Sequence, residues 1–243
     1  MSAAIDYLNH TASLVANVAI SQSCAVEDAA QKCYQTIAKD RMIYSFGTGH
    51  SHILAEEIFY RAGGLVRVYP ILDEPLMLHN GAVKSSMMER LEGYATVLAG
   101  QLPFQSGDVI FIFSNSGRNT VSVEMAQECK SKGMTVIAIV SKLHSAAVTS
   151  RHPSGKKLCD VADIVLDNGG CLGDAAMKIG KLSVGPTSTV VGAALMQAIV
   201  CRIVELCTES GTPVEVFSSS NVDNGDAINQ KFIQKYSGIV RPL

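Results

Sequence analysis

Five short apolar runs, most of them followed by a helical pattern, constrain the fold of this chain more than any other feature. They are Met42–Phe46, Leu65–Tyr69, Val109–Ser114, Thr135–Val140 and Asp163–Leu166. Continuous Val- and Ile-rich runs without alternation suit strands covered on both faces. Helical patterns follow at 51–62, 85–99, 119–132, 187–208 and 223–236. A strand-then-helix repeat favours parallel pairing, because parallel neighbours need a crossover. The expected fold is α/β, a doubly wound parallel sheet with helices on both faces.

Residues 3–38 precede this repeat and read differently. Ile5, Leu8, Ala12, Val15 and Ala19 fall on one helical face, and Val26, Ala30, Cys33 and Ile37 on another. The pattern predicts an N-terminal helical hairpin turning near Ser21-Gln22-Ser23, with apolar faces that need the main domain or a second subunit. Two irregular stretches, Pro70–Ser85 and Asp167–Pro186, are long for connections in a compact fold, where such loops serve function or are disordered. The chain reads as one domain over 1–243: hairpin 1–40, α/β core 41–210, and C-terminal segment with a helix at 211–243.

Composition excludes several classes. Net charge is −2, which gives no basic field for nucleic acid or an anionic membrane. The seven cysteines are scattered without a CxxC pair, which argues for reduced thiols and against a disulfide frame or structural zinc. No basic stretch followed by an apolar run opens the chain. The apolar run Val190–Ile199 is too short to span a bilayer. A cytoplasmic protein is expected.

The chemistry is concentrated where runs hand over to helices. Phe46-Gly47-Thr48-Gly49-His50-Ser51-His52 follows the first run, and Ser114-Asn115-Ser116-Gly117-Arg118-Asn119-Thr120 follows the third. Helix starts present unpaired N–H groups and the positive end of the helix dipole, and so attract anions. The bland alternative for the second turn is a helix cap, but a cap needs one hydroxyl or amide and five stand here. A third stretch, Gly185-Pro186-Thr187-Ser188-Thr189, is equally a plain helix start. Gly47-Thr48-Gly49 departs from a dinucleotide fingerprint, since His52 stands where a third glycine belongs. No cofactor is expected.

FGTGHS, SNSGRNT and GPTSTVVGAAL, in this order, resemble the sugar isomerase (SIS) family of phosphosugar-binding domains over about residues 40–210. The likeness is closer still to a branch whose members carry the label phosphoheptose isomerase. The resemblance implies a five-stranded parallel sheet flanked by helices, and homodimers or homotetramers with sites at subunit interfaces. It implies phosphate contacts from Ser51, Ser114, Ser116 and the Asn119/Thr120 position. Phosphoheptose isomerases carry a metal-binding His where Glu57 falls and a carboxylate where Arg61 falls, so that pair is not reproduced. Regulators that couple such a domain to a helix-turn-helix need a larger DNA-binding portion than these forty residues without a basic face.

The candidate phosphate site therefore comprises Gly47, Gly49, Ser51, Ser114, Asn115, Ser116, Asn119, Thr120, Ser188 and Thr189, with no metal. Aldose–ketose interconversion through an enediol needs a base to move a proton between adjacent carbons and a proton donor at the carbonyl. Glu57, His79 and Glu89 are the candidates. The alternatives are a non-catalytic sugar-phosphate sensor, and a lyase or deaminase acting on an amino-sugar phosphate.

Overall fold

The computed structural model describes residues 2–243. Helix α1 (Ala3–Ser21) and helix α2 (Ser23–Ala38) form the predicted hairpin, joined through Gln22 alone. Strand β1 (Ile43–Gly47) leads through a short 3-10 turn into helix α3 (His52–Glu57). Strand β2 (Val68–Ile71) is followed by two 3-10 turns, helix α4 (Ala82–Met88) and helix α5 (Tyr94–Gly100). Strand β3 (Val109–Phe113), helix α6 (Thr120–Ser131) and strand β4 (Thr135–Val140) follow. Two short helices, α7 (Lys142–Ala146) and α8 (Leu158–Val161), precede strand β5 (Ile164–Asp167). A small hairpin, strand β6 (Met177–Ile179) and strand β7 (Leu182–Val184), leads to helix α9 (Ser188–Ser210) and then helix α10 (Gly225–Tyr236).

The five main strands are parallel in the order β2-β1-β3-β4-β5, as the apolar runs predicted. Alternate residues of one strand feed opposite faces. Phe111 and Phe113 join α2, α3 and α9 on one side, while Ile110 and Ile112 join α5 and α6 on the other. The crossover after β1 thus runs to one face and that after β3 to the other. These two strands are neighbours, so a crevice opens between their carboxyl ends, where ligands bind in open α/β sheets.

Several expected boundaries moved, each for a tertiary reason. The helix expected at 51–62 stops at Glu57, because residues 63–66 pair with the C-terminal segment instead. Gly63 and Val66 donate N–H groups to the carbonyls of Phe217 and Glu215, and Phe217 donates back to Gly64. The same pairing takes Leu65 and Val66 out of the second strand, which begins at Val68. The helix expected at 85–99 is two helices. The Glu124 carboxylate accepts from the N–H groups of Gly93 (2.7 Å) and Ala95 (3.3 Å), fixing a new start at Tyr94. The β6–β7 hairpin has no counterpart in the sequence reading, since its apolar Ile179, Leu182 and Val184 are exposed.

The predicted apolar face of α1 is not the one the fold buries, and of its residues only Val15 is even half-buried. Thr11 and Val18 are buried, while Ile5, Leu8, Ala12 and Ala19 remain exposed. Helix α9 corrects another expectation. At 23 residues it is long and apolar enough to cross a membrane by length and composition, although the apolar run within it is short. Here its inner face, including Val191, Leu195, Ile199 and Ile203, is buried in the core with α2 and α3.

Candidate functional site

Gly47 ends β1 and lets the chain double back. A Cβ there would lie 2.4 Å from the Ser51 carbonyl oxygen, backbone that a side chain cannot displace. The tight turn brings Ser51 over the carboxyl end of β1, beside the turn that follows β3. The two turns meet at a small cleft. His50, Ser51 and Leu54 form one wall, and Ser114 and Asn115 form the next. Ser188 and Thr189, at the start of α9, close the third side. The three stretches singled out in the sequence, each more than sixty residues from the next, thus converge on one space.

Within the turns, some candidates face the cleft and others are committed to the protein. Asn115 Oδ1 accepts from Asn168 Nδ2 at 2.9 Å, and its carbonyl accepts from the Ser141 N–H. Ser116 Oγ accepts a long bond, 3.5 Å, from the Arg118 N–H. Thr120 Oγ1 is buried and donates to the Arg151 carbonyl at 3.2 Å. Asn119 Oδ1 accepts from Arg151 Nη1 at 2.7 Å. Gly49 sits in the left-handed region at φ 57° and opens the 3-10 turn. Ser188 is tied as well. Asp174 Oδ1 accepts from the N–H groups of Thr187 and Ser188, both at 3.0 Å, and the Ser188 hydroxyl donates to Asp174 Oδ2.

The three candidate proton carriers occupy different places. Glu89 Oε2 accepts from the Thr48 hydroxyl at 2.8 Å, and its carbonyl accepts from the Val121 N–H in the first turn of α6. It therefore bridges both phosphate turns. His79 is exposed in the loop after β2, with its ring 6.1 Å from that of buried His52. His52 Nδ1 lies 2.7 Å from the Gly49 carbonyl. A carbonyl only accepts, so Nδ1 carries a proton, while Nε2 lies 3.5 Å from Glu56. Glu57 lies one turn beyond Leu54, paired with Arg61 and accepting from Gln197 at 3.3 Å. Among the described residues, no three or more His, Cys, Asp and Glu side chains are grouped to hold a metal ion.

The sequence reading passed over three residues. Asn168 is the first polar residue after β5 and lines the cleft, so the rule used for β1 and β3 would have found it. Asp174 lies in a glycine-rich stretch that gives no sign of where its carboxylate goes. Arg151 carried no role, because only folding brings it to the second turn. Burial, together with the like charges of Arg90 and Arg118, lowers the Arg151 pKa, and Glu89 opposes that shift. Burial also lowers the His144 pKa, with Arg118 adding to the effect and Asp174 opposing it.

Comparison with known proteins bears on the fold and the family. Residues 6–141 match the family described as SIS domain. A UPF0309 protein of Listeria monocytogenes serotype 4b is 43% identical over 234 residues, 96% of this chain and 95% of the relative. The structure of a phosphoheptose isomerase from Francisella tularensis superposes with a TM-score of 0.53 at 14% identity, covering 84% of this chain and all of that one. The sugar isomerase domain of an RpiR transcription factor from Sphaerobacter thermophilus gives 0.50 at 12% identity, covering 96% and 99%. One fold thus serves both an enzyme and a regulator. From the match over more than half its length and a relative 43% identical over nearly all of it, the chain belongs to the SIS domain family.

Proposed function

We propose that this protein is an isomerase that interconverts aldose and ketose sugar phosphates. The observation that carries the reading is the position of Glu89, hydrogen-bonded to Thr48 of the first turn and joined through its backbone to the start of α6. A carboxylate between two anion-attracting turns stands where a base must stand if a phosphate anchors one end of the substrate. In this reading Ser51, Ser114 and Thr189 hold the phosphate in the cleft. Glu89 takes the proton from the carbon next to the carbonyl and returns it to the neighbouring carbon, while His79 protonates the oxygen. The protein would act as a homodimer or homotetramer, a reading supported by the exposed apolar residues of α1. Sedimentation at micromolar concentration tests that point, and a monomer would refute it.

The decisive experiment follows sugar phosphates in D2O by NMR. Exchange at the carbon beside the carbonyl, lost in Glu89→Gln and retained in Glu57→Gln, is the expected result. No exchange with any sugar phosphate that binds would overturn the enzyme. A second reading, a sensor that binds without turnover, is favoured by one observation: the Glu57 carboxylate is ion-paired with Arg61. Binding without exchange would support it.

A further inference from the structure

The turns after β3, β4 and β5 are tied together by bonds whose donors and acceptors can each be assigned. The Ser141 N–H donates to the Asn115 carbonyl at 2.8 Å, and the buried Ser141 hydroxyl donates to the Gly170 carbonyl at 2.6 Å. These two bonds join all three turns without help from an asparagine side chain. Asn168, only 3% exposed, nevertheless adds a further tie. Its Oδ1 accepts from the Gly170 N–H and its Nδ2 donates to Asn115 Oδ1, both at 2.9 Å. Gly170 leaves room for this amide, since a Cβ there would lie 3.0 Å from Asn168 Oδ1.

Both amides can be oriented from one end of this chain of bonds. A backbone N–H only donates, so the Asn168 atom facing Gly170 is its oxygen, and its nitrogen faces Asn115. That nitrogen also only donates, so the Asn115 atom facing it is the oxygen. The Asn115 Nδ2 is left over. It makes no hydrogen bond among the described residues, and half-buried Asn115 lines the cleft beside Ser114 and Asn168.

We propose that Asn168 is a positioning residue, which locks the Asn115 amide so that its NH2 group meets an acceptor oxygen of the ligand. An unrestrained asparagine turns over and offers oxygen or nitrogen alike, whereas this one offers a donor only. A donor fixed before the ligand arrives needs no ordering when it binds. The inference rests on the sugar-phosphate reading and deepens it.

Calorimetric titration with ribose 5-phosphate, glucose 6-phosphate, sedoheptulose 7-phosphate and inorganic phosphate tests it. Asn168→Asp keeps the number of bonds but reverses one of them. Its carboxylate accepts from Gly170 and can only accept from Asn115, so the Asn115 amide turns and offers its oxygen to the ligand. Affinity for the sugar phosphate that binds the unaltered protein most tightly is expected to fall about tenfold or more. Asn168→Ala, which adds no charge and frees the amide to turn, is expected to cost about threefold. In an Asn115→Ala background neither substitution is expected to weaken binding further, because no amide remains to be oriented. A loss shared by inorganic phosphate assigns the accepting oxygen to the phosphate, and one confined to the sugar phosphates assigns it to the sugar. A loss that persists in the Asn115→Ala background would overturn the proposal, since it would come from the new charge or a disturbed cleft. So would unchanged affinity in both Asn168 variants, or full affinity in Asn115→Ala alone. Each of these results leaves the sugar-phosphate reading standing. Failure of every sugar phosphate to bind the unaltered protein would overturn both.

Discussion

The starts of α6 and α9 flank the same cleft and are satisfied in opposite ways. At α9 the chain supplies its own anion. Asp174 takes the N–H groups of Thr187 and Ser188 and the Ser188 hydroxyl. At α6 the side chain of Asn119 makes no cap bond to the helix and is held by Arg151, with cations around it and no carboxylate paired to them. A helix start closed by its own carboxylate is a structural joint. One bordered by arginines that no carboxylate pairs, among the described residues, has no anion of its own. The serine-rich sequences at the two places look alike, so the difference lies wholly in what folding brings to them.

The largest expected effect tests the closed start. Asp174→Ala leaves the Thr187 and Ser188 N–H groups without their acceptor, at a cost of about 2 kcal/mol, and Tm should fall by roughly 4–8 °C. Added inorganic phosphate should restore part of that loss in the variant by occupying the vacated position. A Tm unchanged by the substitution would mean that α9 needs no carboxylate. Next comes Ser114→Ala, which removes a hydroxyl facing the cleft. Sugar-phosphate affinity should drop about tenfold, with little change in Tm. Thr120→Val is smaller and of the opposite kind. It removes the bond to the Arg151 carbonyl at similar volume, costing about 1 kcal/mol with affinity unchanged, so a loss of binding instead would return Thr120 to the ligand.

The smallest effect lies farther along α9, where Arg202 donates to Glu27 of α2 at 2.8 Å. The hydrogen bond from Arg202 lowers the Glu27 pKa in the folded protein. A lowered carboxylate pKa adds stability above the unfolded value that is lost as pH falls through the folded value. Glu27→Gln should therefore flatten the acid side of the stability curve by a fraction of the Thr120 effect. Thermal melts between pH 7 and pH 3 check this, and an unchanged curve would assign the bond no net stabilisation.

Sequence periodicity reached the sheet because each strand's signal is local: a Val- and Ile-rich run with punctuation at both ends. It also singled out Ser51, Ser114 and Asn115, which line one cleft with Ser188 and Thr189, since the carboxyl end of a parallel strand is a place that can be read from order alone. It missed the pairing of residues 63–66 with 215–217, because nothing near Leu65 announces a partner 150 residues away. The same limit hid Arg151 and Asp174. Both act through contacts whose other half lies in a distant segment. Thr120 donates its hydroxyl to the Arg151 carbonyl, a contact hidden for the related reason that a hydroxyl's direction follows from its neighbours in space.

The hairpin at the amino end meets the cleft through one contact of long reach. The Tyr7 hydroxyl donates to the Pro186 carbonyl at 2.7 Å across 179 residues of sequence, and a Cβ on Gly185 would lie 2.8 Å from the Tyr7 ring. During synthesis α1 leaves the ribosome well before the segment it fastens, which is made last among the parts of the cleft. At ~5–20 residues per second the wait is roughly 10–35 s. An isolated helix of this length is marginal in water. Throughout that interval Val18, buried in the finished fold, lacks the α9 side of its core. The start of the chain thus holds the place where the cleft is completed, and a growing chain spends its most vulnerable period with that strap unfastened.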